Sequence, residues 1–254
     1  MNLRNGTRWT AVAFSILALG ATQALAQHHD TPQPKQPDSA GAKDERAGEP
    51  YPFDTCPISG KKLGEMGDPL VKKYEGREVR FCCEGCPPKF EKDLAGSLAK
   101  LDEKIVKDQG PLYPLKTSLV TGKDLPEKPY EFVWGNRLIR LGADAEKADF
   151  LKDTKKYFGQ LNEAVVAEQI KDYPLKTCPS SGEELGAMGD PRDVVLAGRL
   201  IRLCCGSCKK DLEESPAKFI AIVDTARKGG DADPESGEGD HHKGGDGAKP
   251  HKDR

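Results

Sequence analysis

The sequence is poor in histidine, in methionine and in long apolar runs, and each shortage excludes a class of function. All five histidines, His28, His29, His241, His242 and His251, lie in the terminal stretches. A central region without imidazole has no Cys-His or Ser-His pair to activate a nucleophile. No Gly-rich phosphate loop appears, so hydrolase and transferase chemistry finds no support and the chain reads as a non-enzyme. Lysine and arginine total 39 against 41 acidic residues, without the basic surplus of a nucleic-acid binder. No segment after the first apolar run approaches the roughly 20 apolar residues of a membrane helix. The mature chain is therefore expected to have no membrane span.

What is present begins with an address. Arg4 and Arg8 precede the apolar run Ala11 to Leu19, and Ala24-Leu25-Ala26 supplies the small-x-small pattern cut by signal peptidase. Residues 1–26 read as a signal peptide, with a periplasmic or secreted product that carries no cysteine at the cut to take lipid. Residues 27–50 and 230–254 are rich in Pro, Gly, Asp, Lys and Ser and poor in apolar residues. They are expected to be a disordered linker and tail, because they cannot bury enough surface to fold. The histidine doublets in them read as polar filler.

The middle is a repeat. YPFDTCPISGKKLGEMGDP from Tyr51, YPLKTSLVTGKDLPEKP from Tyr113 and YPLKTCPSSGEELGAMGDP from Tyr173 fall into register, which means one supersecondary unit used three times. The units span 51–112, 113–172 and 173–229. Each continues with two strand-like runs around a two-residue turn, Glu75-Gly76, Gly135-Asn136 or Ala197-Gly198, a hairpin signal. A helical stretch follows; Leu94, Leu98, Leu101 and Ile105 share one helical face, and the helix is expected to break at Gly96 in the first copy and at Ser215 in the third. The fold class is α+β: three tandem hairpin-plus-helix units with disordered tails.

All eight cysteines fall in two identical arrays, Cys56, Cys82, Cys83 and Cys86, then Cys178, Cys204, Cys205 and Cys208. Both follow C-x25-C-C-x-x-C. The middle copy has Ser118, Gly142, Ala143 and Glu146 at those positions, and a dense aromatic set in Tyr130, Phe132, Trp134, Phe150, Tyr157 and Phe158. It reads as a cysteine-free spacer stabilised by packing. Four sulfurs per outer copy can close a tetrahedral Zn(II) site, and fewer sulfurs with a thioether suit Cu(I). The expected cofactor is one such ion per cysteine-bearing repeat. Met66 and Met188, the only methionines after the initiator, vanish from the middle copy together with the cysteines. They are candidate thioether ligands, with gap-filling in the core as the alternative. Cys86 and Cys208 fall at helix starts, where a thiolate is expected to be easiest to maintain.

Two other readings of the cysteines stand beside metal binding. An even cysteine count in an exported chain also predicts a disulfide framework. Cys83-x-x-Cys86 and Cys205-x-x-Cys208 have the spacing of thiol oxidoreductases, although the units lack the alternating order of a thioredoxin-like sheet.

The Cys56-Pro57 knuckle, the Tyr74-Glu75-Gly76 turn and Phe81-Cys82-Cys83-Glu84-Gly85-Cys86 running to Phe90 resemble the YHS and TRASH-like heavy-metal-binding domains. The third copy departs with Leu203 and Leu212 in place of Phe81 and Phe90. The resemblance implies treble-clef-like metal modules of sensors, chaperones and efflux components. A metal transporter or efflux component is therefore the partner class it implies.

Overall fold

The computed structural model describes residues 46–229. The expected signal peptide, the linker before residue 46 and the tail from residue 230 lie outside the described residues. Three units of the same element order follow one another. The first has strands β1 (Leu70–Tyr74) and β2 (Arg77–Phe81), then helices α1 (Pro87–Glu91) and α2 (Leu94–Gln109). The second has β3 (Tyr130–Trp134), β4 (Arg137–Leu141), α3 (Lys147–Lys152) and α4 (Thr154–Gln169). The third has β5 (Arg192–Leu196), β6 (Arg199–Leu203), α5 (Cys208–Glu214) and α6 (Pro216–Arg227). Each hairpin is its own two-stranded antiparallel sheet. No helix among the described residues is long and apolar enough to cross a membrane.

The hairpins form where expected. Registers Tyr74↔Arg77, Trp134↔Arg137 and Leu196↔Arg199 leave two-residue loops, with both residues at positive φ in every case. That conformation matches the right-handed strand twist. The glycine comes second in two turns and first in Gly135-Asn136, and a close approach explains the inversion. A Cβ on Gly135 would lie 2.4 Å from the carbonyl oxygen of Ala47 and 2.6 Å from Gly48 Cα.

The helix break in the third unit is at Ser215, ahead of Pro216. In the first unit it is at Asp93 rather than Gly96. The Asp93 carboxylate accepts the Gly96 N–H at 3.0 Å, so the acid caps α2 and Gly96 lies inside its first turn. Asp153 caps α4 in the same way through the Lys156 N–H at 3.1 Å.

Each unit has its own core. Val79, Phe81, Phe90, Leu101 and Ile105 fill the first; Ile139, Leu141, Phe150 and Leu161 the second; Ile201, Leu203, Phe219 and Val223 the third. In the second, Phe150 meets Phe132 edge-on with centroids 5.4 Å apart and stacks on Tyr157 at 5.7 Å. The predicted aromatic packing is therefore present.

Polar contacts join the units at the hairpin turns. Gln109, the last residue of α2, donates to the Asn136 carbonyl and accepts the Leu138 N–H, both at 2.9 Å. Gln169, the last residue of α4, repeats this on Gly198 and Leu200 at 2.8 Å. Arg80 of β2 closes the circuit by donating to the carbonyls of Glu213 and Glu214 at the end of α5.

The first residue of each second strand is a buried arginine. Arg77 pairs with Asp102, and Arg199 with Asp224 and Asp108. In the middle unit Asn162 stands where Asp102 and Asp224 stand, so Arg137 has no carboxylate from its own helix. Glu49 supplies one at 2.5 Å. Residues 46–50 were expected to be disordered linker, but the structure packs them against all three turns. Ala47 N–H donates to the Gly76 carbonyl at 2.8 Å, Glu49 N–H to the Gly135 carbonyl at 2.7 Å, and Ala197 N–H to the Glu49 carboxylate at 2.7 Å. Composition missed this because the segment is fixed by hydrogen bonds and a buried charge rather than by apolar area.

Candidate metal centres

The knuckle that carries the first cysteine is the same in all three units. The Cys56 N–H donates to the Lys61 carbonyl at 2.8 Å, and the Cys56 carbonyl accepts the Gly60 N–H at 3.0 Å. Cys178 with Glu183 and Gly182, and Ser118 with Lys123 and Gly122, repeat both bonds at 2.7–2.9 Å. The glycine sits at φ +68, +74 and +66, which permits the reversal. The other cysteines follow the second strand and open the helix.

These two elements converge in the outer units. Cys56, Cys82 and Cys86 have sulfurs within 4.8 Å of one another, as do Cys178, Cys204 and Cys208, and each trio can hold a metal ion. Their residues are 0–6% exposed. Cys83 and Cys205 are half-buried at the rim. Cys83 Sγ lies 3.9 Å from Cys82 and 3.7 Å from Cys86; Cys205 Sγ lies 3.8 Å from Cys204 and 3.7 Å from Cys208. The structure thus separates the adjacent cysteines: the first of each pair joins the buried trio and the second meets it from the more exposed rim. All eight are free thiols, with sulfurs far beyond the roughly 2.05 Å of a disulfide.

Compared with known protein families, curated proteins and solved structures, the chain matches none. Its chemistry must be read from the sulfurs themselves.

Ser59 and Ser181, three residues beyond Cys56 and Cys178, lie against these centres. Their hydroxyls lie 3.2 and 3.3 Å from the sulfurs of Cys82 and Cys204.

The electrostatics differ from the expectation that the helix-start cysteines would be the readiest thiolates. Burial raises Cys56, but hydrogen bonds from the Ser59 hydroxyl and from the backbone N–H groups of Ser59, Cys82 and Ile58 outweigh it and bring the thiol down to about 6. Cys178 is lowered to about 7, with burial again opposed by N–H groups of Cys204, Ser181 and Ser180 and by the Ser181 hydroxyl. Cys86 and Cys208 instead rise to about 12, chiefly through burial, with the neighbouring sulfurs adding to it. Helices of five and seven residues are too short for their dipoles to offset that. The rim thiols are lowered by their own turns, Cys83 through the Gly85 N–H and Cys205 to about 6 through the Ser207 hydroxyl.

The middle unit keeps the pocket and fills it. Glu146, at the position of Cys86 and Cys208, accepts from the Ser118 hydroxyl and from the Gly142 N–H at 3.3 Å. Ser118 in turn accepts from the N–H groups of Val120 and Thr121 at 3.2 and 3.4 Å. A carboxylate and its donors occupy the space that the outer units line with sulfur.

Met66 and Met188 are at the surface, 57% and 65% exposed, and neither belongs to a core cluster. The gap-filling role is thereby excluded. Met66 Sδ faces Lys61 Nζ at 3.9 Å.

Proposed function

We propose that this protein is an exported, non-enzymatic binder of soft metal ions, holding one Zn(II) or Cu(I) in each cysteine-bearing unit for metal handling, sensing or resistance. The observation that carries the reading is the convergence of a buried three-thiol group in two of three equivalent pockets, with a carboxylate replacing it in the third. Thiolates select zinc, Cu(I) and similar ions over hard cations. Separations of 3.7–3.9 Å among the three sulfurs that follow the second strand in each outer unit also match the edge of a four-sulfur tetrahedron, about 3.8 Å for a Zn–S bond of about 2.3 Å. The resemblance to YHS and TRASH-like modules supports the same reading, and with it a treble-clef-like unit and a transporter or efflux partner. The signal-peptide pattern supports an extracytoplasmic site of action.

Titration of the fully reduced protein is expected to end at two ions per chain; a stoichiometry near zero sinks the reading. At pH 7.5 each ion should displace at least one proton, because the Cys86 and Cys208 thiols, raised to about 12, must ionise to bind. Apparent affinity should then rise at least about tenfold per pH unit between pH 7 and 8. It should fall more steeply, at least about a hundredfold per unit, below the value near 6 to which Cys56 is lowered, where that thiol also takes up a proton. Calorimetry in buffers of different ionisation enthalpy counts the protons.

The exposed methionines lead to a second expected outcome. Replacing Met66 and Met188 together by leucine should change stability by less than about 0.5 kcal/mol and leave both zinc and Cu(I) affinity unaltered, as for a cysteine-only site. A competition titration checks this. A Cu(I) affinity reduced tenfold with zinc affinity intact would instead assign the thioethers to the copper ion.

A further inference from the structure

The two clusters are alike in their buried thiols and unlike in what lies outside the fourth. In the third unit a cleft of about 800 Å³ opens against Cys205 and Gly206, within the roughly 300–1,000 Å³ of small-molecule sites. Its lining combines apolar Val166, Val194 and Leu212 with charges of both signs, Arg46 and Lys209 beside Glu163 and Glu213. Beside the first cluster the cavity is about 370 Å³ and reaches Cys56, not Cys83.

The sequence and the packing both produce this asymmetry. Gly206 stands where the first unit has Glu84, and Ser207 where it has Gly85. A Cβ on Gly206 would meet nothing within 4 Å, so the wall beside Cys205 is open for want of a side chain. The opposite wall, Val166 and Ala167, belongs to α4 of the middle unit. The cavity beside the first cluster is lined by residues of that unit alone.

Cys205 is suited to leave an ion. It is half-buried where Cys178, Cys204 and Cys208 are 0%, 2% and 6% exposed, and the Ser207 hydroxyl lies 3.0 Å from its sulfur to receive it. Only a soft donor competes with thiolate for a soft ion, and the cleft admits a small one.

We propose that the cleft seats a low-molecular-weight thiol that enters the coordination of the ion as Cys205 leaves, so that the third unit passes its ion on while the first retains it. This rests on the soft-metal reading above. The incoming sulfur binds the ion through a lone pair and releases its proton to water. The bond from Cys205 Sγ to the ion breaks, and the Ser207 hydroxyl donates to the freed thiolate. No electron moves, and the ion keeps its charge.

The test uses the full reduced chain loaded with Zn(II), with Cys56→Ser to leave the third site alone and Cys178→Ser to leave the first. Transfer to a chromophoric chelator is followed against glutathione concentration. Release from the third site should accelerate at least tenfold and saturate as the cleft fills, while release from the first should not respond. Ala167→Trp fills the cleft from the unit that holds no sulfur, and Gly206→Glu restores the side chain of the first unit. Each should slow the glutathione-dependent release at least tenfold and leave zinc affinity unchanged. Equal glutathione dependence at both sites, or no effect of Ala167→Trp, overturns the inference while two bound ions would leave the metal reading standing. A chain that bound no zinc would overturn both.

Discussion

Glu49→Ala is expected to destabilise the protein by about 3–5 kcal/mol, the cost of leaving a buried charge without its partner. The Arg137 side chain is 2% exposed and pairs with Glu49 Oε1 at 2.5 Å, while Asn162 stands where the other units supply an aspartate. The same carboxylate accepts the buried Ala197 N–H at 2.7 Å. One truncation therefore strands a guanidinium in the second unit and a backbone donor in the third, and a buried unsatisfied donor adds about 1–3 kcal/mol of its own. Urea unfolding of the reduced chain measures the loss. Glu49→Gln keeps a side-chain acceptor without the charge and should lose less. A loss below about 1 kcal/mol for Glu49→Ala would show that the turns hold together without residues 46–50.

A third metal site should appear when Ser118, Gly142 and Glu146 are all replaced by cysteine, raising the stoichiometry from two ions to three. These positions correspond to Cys56, Cys82 and Cys86, and the Ser118 knuckle keeps the backbone bonds of its neighbours. The replacements must be made together. A Cβ on Gly142 would lie 2.8 Å from Glu146 Oε1, so Gly142→Cys alone is crowded, whereas Glu146→Cys removes the obstructing group. Replacing Glu146 and Ser118 together takes the side-chain oxygen acceptors from the N–H groups of residue 142, Val120 and Thr121, so the metal-free triple variant should be less stable than the parent by about 1–3 kcal/mol and recover on adding zinc. A stoichiometry that stayed at two would mean that the middle pocket differs in backbone and not only in side chains.

Much of the fold could be read from short-range chemistry. The two-residue turns were marked by glycine between strand-like runs, and all three hairpins form there with both turn residues at positive φ. The Ser215 break was marked by the proline after it. The Asp93 break has a local signal as well, an acid three residues before Gly96 and repeated as Asp153 in the next unit. In the metal centres, the ligand types and their repetition were legible, but the ranking of the thiols was not. The helix start pointed to Cys86 and Cys208, whereas burial raises those two thiols and hydrogen bonds at the knuckle, outweighing burial, lower Cys56 and Cys178. Burial depends on the whole fold, and no local pattern reports it.

The sequence by itself determined the number of units, the order of elements within each and which two carry sulfur, because turns, knuckles and amphipathic faces depend on residues close along the chain. Only the tertiary structure decided which cysteine of each adjacent pair turns inward, how Glu146 fills the empty pocket, and how Glu49 serves turns 88 and 148 residues away. Those outcomes depend on charge pairing, burial and the approach of backbones distant in sequence. Their energies arise only when the units are brought together.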